Sequence, residues 1–178
     1  MKKINILIKH RIKNDAKRIS SLNITNPISY SNENNAGGVY GACNDENDPK
    51  SEKRDAHAKL YYHEIILRDR KKIIEKLARN SGFDKETAEE AFNHLFIYRH
   101  SLNGESKAFD PDYEIAQSIQ RLLDGKNIQI HDRLLIGHEA EESRIMRVKK
   151  KSYETAHAMA NKKYNYEKAL DKWESNKR

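Results

Sequence analysis

From Ser51 to the C-terminal end, apolar residues recur at helical spacing, and the alternating apolar–polar runs that would mark strands are missing. That pattern confines the chain to an all-α fold. Ser51 reads as the N-cap of a long helix to about Asn80, with Leu60, Ile66, Ile73, Ile74 and Leu77 inward and Gly82 closing it. Asp84 caps a second helix bearing Ala88, Ala91, Phe92, Leu95 and Phe96, after which Asn103-Gly104 turns the chain. Asp110-Pro111 supplies an N-cap and a proline at the first helical position, where a missing N–H is harmless. The third helix carries Ile115, Ala116, Ile119, Leu122 and Leu123 and stops at Gly125. A fourth spans about Ile130 to Val148. A fifth starts at Ser152 and bends near Asn165 before a last turn through Ala169, Leu170 and Trp173. The expectation is a bundle of about five helices over residues 51–178, with an extended basic N-terminal arm.

The arm differs in character. Residues 1–20 predict a short basic amphipathic helix, with Ile4, Leu7, Ile8, Ile12 and Ile19 loosely on one side. Residues 21–50 are rich in Asn, Ser, Gly and Asp and read as a flexible linker or a loop over the body. The apolar stretch Ile4–Ile8 is too short for a cleavable secretory signal, and no run approaches the ~18 apolar residues of a membrane span. Cys43 stands alone, which rules out an internal disulfide and a multi-cysteine zinc site. It reads as an incidental thiol.

The net charge of +7 is unevenly spread: residues 1–20 carry +6, residues 21–146 carry −5 and residues 147–178 carry +6. A basic end with Tyr153, Tyr164, Tyr166 and Trp173 interleaved suits nucleic acid or an acidic partner. The plainer reading is a solvated lysine-rich helix face.

Against this pattern four ionisable side chains stand at positions that call for apolar ones. The inward stripe of the fourth helix reads Leu134, Leu135, His138, Glu142, Ile145, with Glu139 alongside. The fifth repeats the arrangement with Tyr153, His157, Ala160 and Tyr164. A buried charge or imidazole costs several kcal/mol unless it is paired, hydrogen-bonded or bound to a metal. Residues i and i+4 on one helix face can form an acid–base pair or share a divalent metal, and His157 could add a third ligand. His138-Glu139-Ala140-Glu141-Glu142 is superficially like the zinc-protease motif, which needs a second histidine where Glu142 stands. Without cysteines, the His/Glu set fits a catalytic hydrolytic site better than a structural one. The competing reading is a buried His–Glu hydrogen bond that fixes helix packing.

The remaining ionisable residues carry weaker signals. His94 lies near the core boundary and could reach the His138/His157 cluster from a facing helix. His100, six residues on, falls on a different helix face and reads as a C-terminal cap stabilised by the dipole. Asp112 is an exposed first-turn carboxylate by default, and Gln117 or Gln120 could point inward. His57, Tyr61, Tyr62 and His63 read as a half-buried helix face. His131-Asp132 invites comparison with HD-type phosphohydrolases, whose signature needs further histidines and a distant aspartate. Phosphate-binding glycine loops, a Gly-x-Ser-x-Gly elbow and a dinucleotide fingerprint are absent.

Several segments together resemble the small α-helical C-terminal domain of bacterial polymorphic toxins and phage-head-associated proteins. They are Phe92–His100, Phe109-Asp110-Pro111-Asp112-Tyr113, Ala116–Leu122, Gly125, Ile128, His138-Glu139, Glu142, Ser152-Tyr153-Glu154, Ala156-His157 and Lys163–Tyr166. The resemblance covers about residues 52–170. It departs at Ile119, where that family usually has tryptophan, and at Lys150-Lys151, where Gly-Met is usual. It implies an effector delivered into a target cell without a conventional signal peptide, acting in the cytoplasm. An immunity protein or a host target protein would be its partner, and nuclease activity is the commonest theme among such toxins.

The expectation is therefore a hydrolase, a nuclease ahead of a metallopeptidase. His138, Glu142 and His157 would be catalytic, with His94 and Asp112 as outer members, and a divalent metal is left open as cofactor. Lys149, Lys150, Lys151, Lys162 and Lys163 would hold a phosphate backbone. The alternative is a non-enzymatic effector or phage-associated binding protein in which the cluster is structural.

Overall fold

The computed structural model describes residues 51–102 and 105–176; the expected arm, the linker with Cys43 and the Asn103-Gly104 turn lie outside the described residues. The described elements are α1 (Ser51–Ile65), α2 (Arg70–Ser81), α3 (Lys85–Phe96), β1 (His100–Leu102), β2 (Glu105–Lys107), α4 (Tyr113–Asp124), α5 (Ile130–Val148), α6 (Tyr153–Lys163) and α7 (Tyr166–Ser175). Over the described residues the fold is all-α apart from a ribbon in which β1 and β2 pair antiparallel, His100 opposite Lys107. Among the described residues, no helix is long and apolar enough to cross a membrane.

Two splits turn the expected five helices into seven. The break between α6 and α7 falls where the sequence places it, with the Asn165 side chain accepting from the Lys168 amide at 2.8 Å. The break between α1 and α2 does not. Asp69 takes up an extended conformation and its carboxylate accepts from the Lys72 amide at 3.3 Å, starting a new helix. Ile66, expected inward, is 36% exposed, and Leu67 is 54% exposed. The apolar stripe thus lapses at the joint and resumes at Ile73. Ser51, expected as the N-cap, lies inside the first turn of α1.

Two other boundaries also move. Asp112, not Asp110, caps α4, its carboxylate accepting from the Ile115 amide at 2.8 Å. Asp110 is exposed and pairs with Lys107 at 2.9 Å. Helix α3 ends at Phe96, so His100 is no helix cap; it begins β1 and folds back onto His94.

Helix α5 runs through the middle, packing against α2, α3, α4, α6 and α7. The core comprises Tyr61, Tyr62 and Ile65 of α1, Ile73 and Leu77 of α2, Phe92 and Leu95 of α3, Ile119 and Leu122 of α4, and Leu135 and Ile136 of α5. Each large apolar side chain so buried stabilises the fold by about 1.5–3 kcal/mol. Arg70 ties α2 to α3 through Glu89 at 2.6 Å and Asn93 at 2.8 Å. Gly82 ends α2 at φ 87°, a left-handed conformation that glycine adopts without strain.

The His131-Asp132 pair belongs to this framework. Asp132 is fully buried, accepts from Arg121 Nε at 2.8 Å, and also accepts from the Gln129 amide at 2.8 Å. His131 lies 2.9 Å from Arg121 Nη2, and Trp173 covers both residues. Burial would raise the Asp132 carboxyl, but the hydrogen bonds from Arg121 and His131 outweigh it and lower its pKa.

Candidate functional site

The charged positions on the inward stripe of α5 face the seam between α3 and α6. His138, Glu139 and Glu142 all project to that side, because residues i and i+4 stack on one helix face. Ala156 and Ala160, both fully buried, let α6 lie close against α5 and bring in His157. The last turns of α3 bring in His94, itself 1% exposed. Gly137 permits the final close approach. A Cβ there would stand 2.7 Å from the Phe83 ring and 2.9 Å from Tyr164. With that space open, the Tyr164 carbonyl reaches within 3.0 Å of His138 Nδ1.

These side chains converge on one carboxylate. Glu142 Oε1 lies 2.9 Å from His94 Nε2, while Oε2 lies 2.8 Å from His157 Nδ1 and 3.3 Å from His138 Nε2. His138 Nε2 and His157 Nδ1 are 3.2 Å apart. Behind them His100 Nε2 lies 3.0 Å from the His94 carbonyl oxygen and its ring stacks on Phe109 at 4.1 Å. Glu142 and His138 are buried; His157, with 29% of its side chain exposed, is the member that reaches solvent. The cluster floors a cavity of about 470 Å³ whose walls include Tyr62, Phe109, Asp112, Glu114, Tyr153 and Glu174.

Electrostatics divide the carboxylates. Burial alone would raise Glu142, but hydrogen bonds from His138, His94 and His157 more than offset it and hold the carboxyl at about 2. Burial, reinforced by the Glu142 charge, pushes Glu139 up to about 8. Burial would lower His138, yet its hydrogen bond to Glu142 and the charge on Glu139 raise it overall. Asp112 is raised by burial. Glu114 is pushed up to about 8 by burial and then by the charges of Glu174 and Asp112. Burial, followed by the Glu142 charge, takes Tyr153 to about 12. Burial lowers His100.

Of the expected catalytic residues, His138, Glu142, His157 and His94 meet at one centre, and Asp112 lines the cavity as part of its wall. Asp112 was expected exposed; as the N-cap of α4 it is half-buried instead. The expected phosphate-binding lysines stand elsewhere. All five are exposed, and none lines this cavity. Lys150 and Lys163 line a separate groove with Gly137, Glu141, Arg144 and Val148, on a different face of α5. Sequence reasoning passed over Glu114, Phe109 and the inward role of His100. Glu114 had a readable signal: with Gln117, Ser118 and Arg121 it forms an i, i+3, i+4, i+7 polar stripe, and all four are buried.

No family model, no curated protein and no solved structure matches this chain.

Proposed function

We propose that this chain is a hydrolytic toxin or effector domain in which the His/Glu centre activates water against a substrate entering the cavity. One observation carries the reading: a buried carboxylate is held by three imidazoles at the floor of a cavity of about 470 Å³. His157 is the group placed to meet substrate and exchange protons. Glu142 orients it, while His94 and His138 fix Glu142. The toxin role, delivery into a target cell and action in its cytoplasm rest on the resemblance of residues 52–170 described above. An immunity or host protein as partner rests on the same resemblance. In the nuclease form of the proposal, Lys149, Lys150, Lys151, Lys162 and Lys163 attract the polyanion from outside the cavity.

A specific observation favours a second, non-enzymatic reading. Both oxygens of Glu142 are already engaged by imidazoles, as in a purely structural network. The test is expression of wild type and His157→Ala in susceptible cells, with purified protein incubated with total RNA and DNA, with and without EDTA. The hydrolase reading expects the variant to lose toxicity while keeping its helical circular dichroism. Full toxicity in His157→Ala rejects it, and intact nucleic acid under every condition rejects the nuclease form.

A further inference from the structure

The two oxygens of Glu142 face two different sets of donors, and that division points to more than a hydrogen-bond network. We propose that Glu142 bridges two divalent cations. Oε2 would share the first ion with His138 Nε2 and His157 Nδ1, and Oε1 would share the second with His94 Nε2 and the Glu139 carboxylate.

Spacing supports the first position. Its three donor atoms stand 2.8, 3.2 and 3.3 Å apart, the separation of ligands that each lie about 2.0–2.2 Å from one ion. Ring orientation supports it further. The Tyr164 carbonyl can only accept, so His138 Nδ1 donates to it and Nε2 is the ring nitrogen that faces Glu142. An imidazole that ligates a metal commonly donates its other N–H to a backbone carbonyl in this way. His157 has a parallel arrangement: its Nε2 lies 3.5 Å from Glu167 Oε1 and 3.0 Å from the Asn161 amide. Asn161 Oδ1 is buried without a partner, and exchanging the amide oxygen and nitrogen lets it accept from His157 Nε2–H. His157 Nδ1 is then the ring nitrogen that faces Glu142.

Glu139 supports the second position. Its side chain is 9% exposed, it makes no hydrogen bond among the described residues, and its nearest ionic partner is His94 Nε2 at 4.0 Å. The donor atoms of His94, Glu139 and Glu142 lie within 4.8 Å of one another, close enough to draw in around one ion. The cavity lining agrees: Asp112 and Glu114 join Glu139 and Glu142 in it, and among the described residues no lysine or arginine does. A carboxylate bridge holds two ions about 3.5–4 Å apart, a spacing suited to clamping both oxygens of a displacement. Mixed imidazole and carboxylate donors suit Zn²⁺ or Mn²⁺.

The inference rests on the hydrolase reading and changes one role in it: His157 becomes a ligand, and the bound ions, rather than its imidazole, would turn water into a nucleophile near neutral pH. Its test needs no substrate. The 178-residue chain stripped with EDTA is titrated with Zn²⁺ by calorimetry and with Mn²⁺ by electron paramagnetic resonance. The expected result is two equivalents of Zn²⁺ and a spin-coupled Mn²⁺ pair in wild type. Glu139→Gln should lose one equivalent, and His157→Ala should bind the first ion at least tenfold more weakly. The coupled spectrum needs no variant, so it decides the matter even if a substitution impairs folding. Absence of saturable uptake overturns the proposal, as does a single equivalent, or uptake that neither substitution changes. Two bound ions without turnover of any substrate would sink the hydrolase reading alone. Turnover persisting in protein that takes up no ion would sink the ion pair alone.

Discussion

Two buried polar clusters flank helix α5, and they are built on different principles. Around Asp132 one guanidinium meets one carboxylate, every oxygen has a donor, and Trp173 covers the group. Around Glu142 there are two buried carboxylates and three imidazoles, one acid has no hydrogen bond among the described residues, and the group opens onto a cavity. The first is closed and satisfied, as architecture requires. The second keeps polar groups in reserve next to accessible space, and the proposed active centre rests on that difference.

The largest effect is expected at the closed cluster. Arg121→Ala leaves Asp132 buried without its cation and should cost about 3–5 kcal/mol in urea unfolding. A loss below about 1 kcal/mol would mean that the closed cluster is not the structural one. Next in size, Gly137→Ala should cost about 1–3 kcal/mol through overpacking against Phe83 and Tyr164. It should also displace the Tyr164 carbonyl from His138, which the His138 ring resonances in NMR would report.

Acid and alkali should act in opposite senses through Asp132 and through Glu114 in the cavity wall. Asp132 has a depressed folded pKa, so its stabilisation is complete above its unfolded value and is lost as pH falls through the folded one. Urea titrations should therefore show a steep acid-side loss that Asp132→Asn flattens. Glu114, raised from 4.5 to about 8, behaves the other way: its burial costs increasing stability as pH rises across that window. Glu114→Gln should raise Tm more at pH 9 than at pH 5. An equal shift at both would show that Glu114 ionises freely in the folded protein.

The smallest expected effects sharpen a boundary. Asp112→Ala should cost about 1 kcal/mol through loss of the α4 cap. Asp110→Ala, which removes only an exposed pair with Lys107, should stay within about 0.5 kcal/mol. The reverse order would return the helix start to Asp110.

These residues also show what can be read from a chain of this kind. The i, i+4 placement of His138 and Glu142 and the inward position of His157 followed from periodicity, because a helix imposes them locally. The reach of His94 depends on how α3 crosses α5, which no local pattern encodes; its position near an apolar stripe allowed the contact without requiring it. His100 was misplaced because nothing between Phe96 and His100 breaks a helix outright, although the chain turns there to begin β1. The Asp69 break was hidden for a similar reason, since an aspartate among charged residues reads equally well as a solvated face. The basic C-terminal lysines were countable, but whether they faced the cavity depended on which side of α5 the chain returned along.

The most direct test pairs two quantities in one variant. In His157→Ala, turnover of a cleaved substrate should fall at least about a hundredfold, while the unfolding free energy changes by no more than about 1–2 kcal/mol. A fall in stability of several kcal/mol with turnover per folded molecule unchanged would make the Glu142 cluster, like the Asp132 one, a matter of architecture.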